Sequence, residues 1–296
     1  MAKIWLNGTL VDEEEAQIPV LDRAILYGDG LFETLRAYRG LPFRLDRHLR
    51  RLEEGCKVLR LELPAKSAVI SEAIRLLYGE NVGSGDAYVR ITLTGGLHDG
   101  SRTLTRSNAP NLFIVVTPLP GLPPKRYLEG VRVCLASFPR NSLSPLCGIK
   151  SANYLESLWA RQEASDRGYD DALFLNEKGH LCEATTSNLF LVKDGEVLTP
   201  EQECGLLPGI TREAVLEICE NMSIPCREGK FSPRDILEAD EAFLTNSTVE
   251  ILPVREVEES PLPSCPGALT TLIHRAYQEL VTRELGPENR EPMRGN

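Results

Sequence analysis

The feature that most restricts this chain is a break in it. Pro118, Pro120, Gly121, Pro123 and Pro124 crowd one short segment. Proline fixes φ and lacks an amide donor, so neither a helix nor an interior strand continues through such a cluster. The segment predicts an interdomain linker over 118–125, with one domain at 1–117 and another at 126–296. Length agrees, because 296 residues lie near the limit of about 250–300 at which single cores stop growing.

Before the break, Lys3–Leu6 and residues 9–11 flank Asn7-Gly8, a strong hairpin signal. Tyr27-Gly28-Asp29-Gly30-Leu31-Phe32-Glu33-Thr34 follows. Its glycines read as backbone necessities rather than a phosphate loop, since neither GxxxxGK nor GxGxxG runs into a helix. Leu45, Leu49, Leu52, Cys56 and Leu59 recur at three- and four-residue steps and predict an amphipathic helix over 44–59 with an arginine-rich outer face. A helix over 67–77 and strands over Ala87–Thr94 and 112–117 complete this half. After the break the pattern predicts a strand over 131–137, a loop to Lys150 and a helix over 153–167. Hairpin strands are bounded by Asn176-Glu177-Lys178-Gly179 and Asp194-Gly195, and a helix over 211–221 is entered through Leu207-Pro208-Gly209-Ile210. Ser232 and Asp235 form a capping box for a short helix to 237. Strands over 242–244 and 249–252, a helix over Ala268–Leu285 and a frayed Pro/Gly-rich tail end the chain.

A formal net charge of −10 argues against a nucleic-acid partner, which calls for a basic stripe. No apolar run reaches the ~20 residues needed to cross a bilayer. Met1-Ala2-Lys3-Ile4-Trp5 does not begin a signal peptide, so the expected compartment is the cytoplasm. The eight cysteines are scattered without a CxxC pair, and the four histidines lack metal-ligand spacing. Reduced, mostly buried thiols and no metal site are expected.

Of the 33 basic side chains only eight are lysine, which makes each worth reading. Most lie in charged helices, linkers or polar turns. Lys150 differs, because no other charge falls between Arg140 and Glu156. An apolar setting lowers an ammonium pKa, and the free amine is what Schiff-base chemistry uses; a lysine emerging from a surface loop is the plainer alternative. Glu183 is a single carboxylate within Leu181-Cys-Glu-Ala-Thr-Thr-Ser-Asn-Leu-Phe-Leu191. It is either a buried anion in need of a partner or a solvent-facing strand residue. Leu207-Pro-Gly-Ile-Thr-Arg212 exposes backbone N–H groups and a hydroxyl at a helix start, where anions bind, though many helices begin this way.

Taken in order, Tyr27-Gly-Asp-Gly-Leu-Phe-Glu-Thr34, His48-Leu-Arg-Arg-Leu52, Gly148-Ile-Lys-Ser-Ala-Asn-Tyr154, Glu183-Ala-Thr-Thr-Ser-Asn-Leu-Phe190, Gly209-Ile-Thr-Arg212 and Thr245-Asn-Ser-Thr-Val-Glu-Ile-Leu-Pro-Val254 resemble the class IV, fold-type IV pyridoxal-phosphate enzymes. That group holds branched-chain aminotransferases, D-amino-acid aminotransferases and aminodeoxychorismate lyases. The resemblance implies a two-domain α/β (α+β) fold, with a small N-terminal α/β domain, a larger C-terminal pseudo-barrel domain, and pyridoxal 5'-phosphate between them. It implies a homodimer acting on small amino-acid and 2-oxo-acid substrates.

Residue by residue, the resemblance makes Lys150 the lysine that attaches to the cofactor and Glu183 the partner of its ring nitrogen. Arg51 would clamp the phosphate, Ile210 and Thr211 would donate to it from a helix start, and Ser247 and Thr248 would line the same group. Tyr154 would stand near the cofactor oxygen. Tyr27, Phe32, Thr34, Arg90 and His98 would lie on the substrate side. The reaction implied is ping-pong transamination with Lys150 as general base. Tyr88-Val-Arg90 and Lys150-Ser-Ala-Asn-Tyr-Leu155 resemble the branched-chain enzymes. Thr34 is the residue type that the lyases carry, and His98 lies where D-amino-acid enzymes hold a carboxylate trap. A binding protein without catalysis is the reading that the presence of both Lys150 and Glu183 opposes.

Overall fold

The structure is a computed structural model and describes residues 1–286. The tail expected beyond the last helix falls mostly at 287–296, outside the described residues. Two compact units emerge. The first takes Met1–Pro120, Ile149–Asn153 and, among the described residues, 280–286; the second takes Gly121–Gly148 and Tyr154–Glu279. The proline break thus marks the first of several passages of the chain from one unit to the other.

In the first unit, β1 (Lys3–Leu6), β2 (Thr9–Asp12), α1 (Arg23–Tyr27), β3 (Gly30–Tyr38), β4 (Leu41–Pro42), α2 (Leu45–Leu59), α3 (Ser67–Asn81), β5 (Ala87–Thr94) and β6 (Leu112–Pro118) follow one another. Six strands form one sheet in the order β2-β1-β6-β5-β3-β4, each pair antiparallel. Successive strand residues face opposite ways. Leu31, Leu35 and Ala37 of β3 share the buried core with Val89, Ile91 and Leu93 of β5 and with Ile114 and Val116 of β6. Leu49, Leu52, Cys56 and Leu59 of α2 and Ile70, Ile74 and Leu77 of α3 are the buried faces of the two helices. Each fully buried Leu or Ile stabilises such a layer by roughly 1.5–3 kcal/mol.

The helix predicted to begin at 44 begins at Leu45, because Arg44 is held in the left-handed region at φ 51°. The helix predicted to end at 77 runs to Asn81. Residues 150–152 return to the sheet: the Phe32 amide donates to the Lys150 carbonyl at 2.9 Å, the Ala152 amide to Gly30 at 2.8 Å, and Leu31 bridges Ser151. Gly30 is a glycine for a packing reason, since a Cβ there would stand 2.8 Å from the Leu93 carbonyl oxygen.

The second unit runs α4 (Pro124–Glu129), β7 (Val131–Leu135), α5 (Leu155–Asp166), β8 (Asp171–Leu175), β9 (Leu181–Ala184), β10 (Asn188–Lys193), β11 (Glu196–Pro200), α6 (Ile210–Asn221), β12 (Cys226–Gly229), α7 (Pro233–Leu237), β13 (Glu241–Asn246), β14 (Glu250–Val257), β15 (Ser260–Pro261) and α8 (Ala268–Leu285), whose last turns belong to the first unit. Its strands lie in the order β12-β11-β10-β13-β14-β7-β8-β9, and β9 pairs again with β10. That last pairing, Asn188 opposite Glu183, closes six strands into a ring. The pseudo-barrel expected for this half is therefore present. Val131, Val133, Leu173, Leu189, Leu191, Leu244 and Val254 belong to one core cluster, and Ala160 and Ala164 of α5 pack with Phe174 and Cys182 in another.

The helix α4 has no counterpart among the elements that the sequence pattern predicts, although Pro124 at a first-turn position is a favourable start for one. The capping box at Ser232 and Asp235 forms as expected. The helix expected over 153–167 starts at Leu155, because 149–153 are part of the first unit. No helix among the described residues is long and apolar enough to cross a membrane.

Candidate active site

Strand β3 presents one chemistry on each face. On the helix-facing side, between Leu31 and Leu35, stands Glu33, which is wholly buried. Arg51 of α2 donates to it through Nε at 2.8 Å and Nη2 at 2.7 Å, and His48 Nδ1 lies 2.7 Å from Oε2. Burial would push the Glu33 pKa up, but the charge and bonds of Arg51 and the bond from His48 outweigh it and hold it at about 2. Burial holds His48 below its ordinary range, against the pull of Glu33. Because the carboxylate can only accept, the His48 Nδ1 carries the proton.

Phe32 faces the other way. The Lys150 Nζ lies 4.7 Å from its ring centroid and the Arg90 guanidinium 3.9 Å from it, so one ring meets two cations. Thr34 stands opposite Arg90 in the β3–β5 register. Tyr27 and His98 meet edge to face at 5.6 Å. Beneath them Asp29 accepts from Arg23 Nε at 2.6 Å and from Arg106 Nη2 at 2.5 Å. Arg23 in turn donates to the Ser101 and Thr103 carbonyls at 2.8 Å, which fastens the segment that follows His98.

In the second unit Glu183 of β9 is buried, so the solvent-facing alternative is set aside. Its carboxylate accepts from Arg140 Nη1 at 2.5 Å, from Asn188 Nδ2 at 3.1 Å and from the Leu207 amide at 3.1 Å. Three donors on one carboxylate stabilise its ionised form. Arg140 is itself seated on Phe174, 4.2 Å from the ring centroid.

The turn after Glu183 is fixed from below by Asp171, which accepts from Thr185 Oγ1 at 2.5 Å and from the Ala172 amide at 2.8 Å. Tyr154 donates its hydroxyl proton to the Thr185 carbonyl at 3.1 Å. Burial, reinforced by the Glu183 charge, pushes the Tyr154 phenol up to about 12.

Helix α6 begins after Gly209 with no side-chain cap, so Ile210 and the buried Thr211 sit in a first turn whose amides are available to an anion. The turn between β13 and β14 is organised by Asn246, whose Oδ1 accepts from Thr248 N, Thr248 Oγ1 and Val249 N, each at 2.9 Å. Its Nδ2 donates to Ser187 Oγ at 2.9 Å.

The residues singled out in the sequence therefore fall into two groups. Tyr27, Phe32, Thr34, Arg51, Arg90, His98 and Lys150 belong to the first unit; Tyr154, Glu183, Ile210, Thr211, Ser247 and Thr248 belong to the second. Sequence reasoning missed the partners that hold them. Glu33 carried a readable signal, since it is a charge at a core-facing position of an otherwise apolar alternation. Arg140, Asn188 and Asp171 carried none, because each owes its place to tertiary pairing.

The family pattern of the amino-transferase class IV proteins matches residues 30–257, and the chain belongs to that family. It is therefore an aminotransferase-type enzyme. It is 34% identical to the putative branched-chain-amino-acid aminotransferase of Methanocaldococcus jannaschii, over 95% of this chain and 97% of that protein. It is 32% identical to the aminodeoxychorismate lyase of Bacillus subtilis, over 94% of each. A solved structure of the T.th. branched-chain amino acid aminotransferase with pyridoxamine 5'-phosphate superposes with a TM-score of 0.89 at 30% identity, over 97% of this chain and 96% of that one.

Proposed function

We propose that the protein is a pyridoxal-phosphate-dependent transaminase which moves an amino group from an amino acid of the branched-chain type to a 2-oxo acid, working as a cytoplasmic homodimer. The observation that carries this reading is a pairing within the second unit: a buried carboxylate, Glu183, held by three donors, and an uncapped helix start, at Gly209. A fixed anion suits a protonated ring nitrogen, and free first-turn amides suit a phosphate. The donor set thus fits pyridoxal phosphate at both of its ends.

Ile210, Thr211, Ser247 and Thr248 would hold the phosphate, with Arg51 as its cation. Glu183 would keep the proton on the ring nitrogen. Tyr154 would face the ring oxygen, and Lys150 would hold the aldehyde carbon through Nζ. When bound, the cofactor supplies an electron sink for the charge left as the Cα proton departs. Lys150 Nζ would take that proton as general base and hold it for return. Arg90 and His98, with Tyr27, Phe32 and Thr34, would orient the donor and then the acceptor, which use the site in turn. The naming of the Methanocaldococcus jannaschii relative supports a branched-chain donor.

A second reading is an aminodeoxychorismate lyase, which Thr34 favours together with the Bacillus subtilis relative. One experiment separates them. The purified protein, supplied with pyridoxal phosphate, is assayed for 2-oxoglutarate-dependent transfer from a panel of L- and D-amino acids, and in parallel for pyruvate release from aminodeoxychorismate. Transfer from leucine, isoleucine and valine is expected. Pyruvate release alone would overturn the first reading, and activity only with D-amino acids would reassign the donor.

A further inference from the structure

Asn188 touches both Glu183 and the loop that leads into α6. Its backbone lies opposite Glu183 on one side and Thr245 on the other, at the point where the ring of strands closes. Its Nδ2 donates both to Glu183 Oε2 at 3.1 Å and to the Leu207 carbonyl at 2.8 Å. The Leu207 amide reaches back to the same carboxylate oxygen at 3.1 Å.

Two residues further on, Gly209 passes so close that a Cβ there would overlap Asn188 Oδ1. The Gly209 backbone, at φ −75° and ψ 139°, is one that any residue can adopt, so conformation does not require a glycine. Contact with Asn188 does. The preceding Ser187 accepts from Asn246, which organises the turn carrying Ser247 and Thr248. Asn188 is itself buried, so its two bonds are shielded from competing water.

We propose that Asn188 is a positioning residue, a strut that fixes the start of α6 against Glu183 and so sets the separation between the phosphate-binding and ring-nitrogen-binding groups. This rests on the proposed cofactor. Neither of those groups is attached to the other by regular secondary structure, since 201–209 form a loop with a single short 3-10 turn. A strut that donates to both the carboxylate and the loop carbonyl adds a second tie beside the Leu207 amide. Gly209 is then the residue that lets the loop approach it.

The test is a double-mutant cycle on apoprotein titrated with pyridoxal phosphate, read by the affinity and by the position of the bound cofactor's visible absorption band, with thermal unfolding recorded on the same samples. Asn188→Ala and Gly209→Ala should each weaken binding about tenfold to a hundredfold, the loss expected for one hydrogen bond to a charged group, and should shift the band. The double variant should bind no worse than Asn188→Ala, because the methyl at 209 then meets no Oδ1. Asn188→Asp keeps the side chain's shape and exchanges the donor for an acceptor, and it repeats the test should the truncation fail to fold. Wild-type affinity with an unshifted band in Asn188→Ala, or effects at 188 and 209 that add in full, would overturn the strut alone. Failure of the wild-type apoprotein to take up pyridoxal phosphate would overturn the proposed function, and the strut's role with it.

Discussion

The Glu33 carboxylate grips Arg51 at two points, Nε at 2.8 Å and Nη2 at 2.7 Å, and both side chains are buried. The pair fixes the guanidinium before any ligand arrives. Replacing Glu33 by Gln leaves Arg51 as a buried cation without its counter-charge, which costs about 3–5 kcal/mol in comparable pairs. Denaturant unfolding should register that loss. A Glu33→Leu, Arg51→Leu double variant should recover much of it.

Acid sensitivity should follow from the same cluster. His48 has its pKa depressed below the ordinary 6.5, so the unfolded chain binds that proton first and stability falls as pH drops below about 6.5. Glu33, held at about 2 against an ordinary 4.5, contributes stability that is full above pH 4.5 and is lost as pH falls toward 2. Both act in the same direction. Thermal midpoints measured between pH 5 and pH 7.5 should rise with pH, and His48→Gln should flatten the slope; an unchanged slope would refute the assignment to His48.

Glu241 caps the start of α8, accepting from the Leu269 amide at 3.1 Å, the Thr270 amide at 2.8 Å and Thr270 Oγ1 at 2.7 Å. Gly267 leaves room for it, since a Cβ at that position would overlap the carboxylate. Glu241→Ala should therefore cost about 1–2 kcal/mol, the range of helix N-cap losses. Chemical denaturation is the measurement, and Gly267→Ala should cost at least as much.

Lys150→Ala should separate chemistry from folding. The Phe32 amide bonds the lysine's backbone carbonyl, which the substitution leaves in place, so the variant should still fold and should lose only about 0.5–2 kcal/mol, the worth of the contact between Nζ and the Phe32 ring. Borohydride treatment should fix cofactor to the wild type and none to the variant, as read by mass spectrometry. Fixation at another lysine would transfer the role away from Lys150.

Much of this fold is written in local patterns. The steps of Leu45, Leu49, Leu52, Cys56 and Leu59 drew α2 to within a residue, and the Ser232–Asp235 box marked α7. Such signals are short-range, because a helix face or a cap depends on residues three or four apart. The motifs around Lys150 and Glu183 were legible for the same reason. Arg140 was not: it lies 43 residues from Glu183, and nothing near it in sequence marks it as a counter-ion. Asn188 stood in the sequence only as one member of the motif over 183–190, with no role of its own. Its part depends on Leu207 and Gly209, which reach it through a loop of no regular pattern.

The return of residues 149–153 to the first unit has a practical meaning for anyone who would rebuild this molecule from parts. Cut at the prolines, the chain yields a leading piece in which β3 has lost the rung at Lys150, and a trailing piece that carries the Lys150 side chain away from the strand that seats it. The two halves are not interchangeable cassettes. A chimera that borrows the leading half of a relative must take the relative's 149–153 equivalent along with it, or place its lysine on a foreign strand.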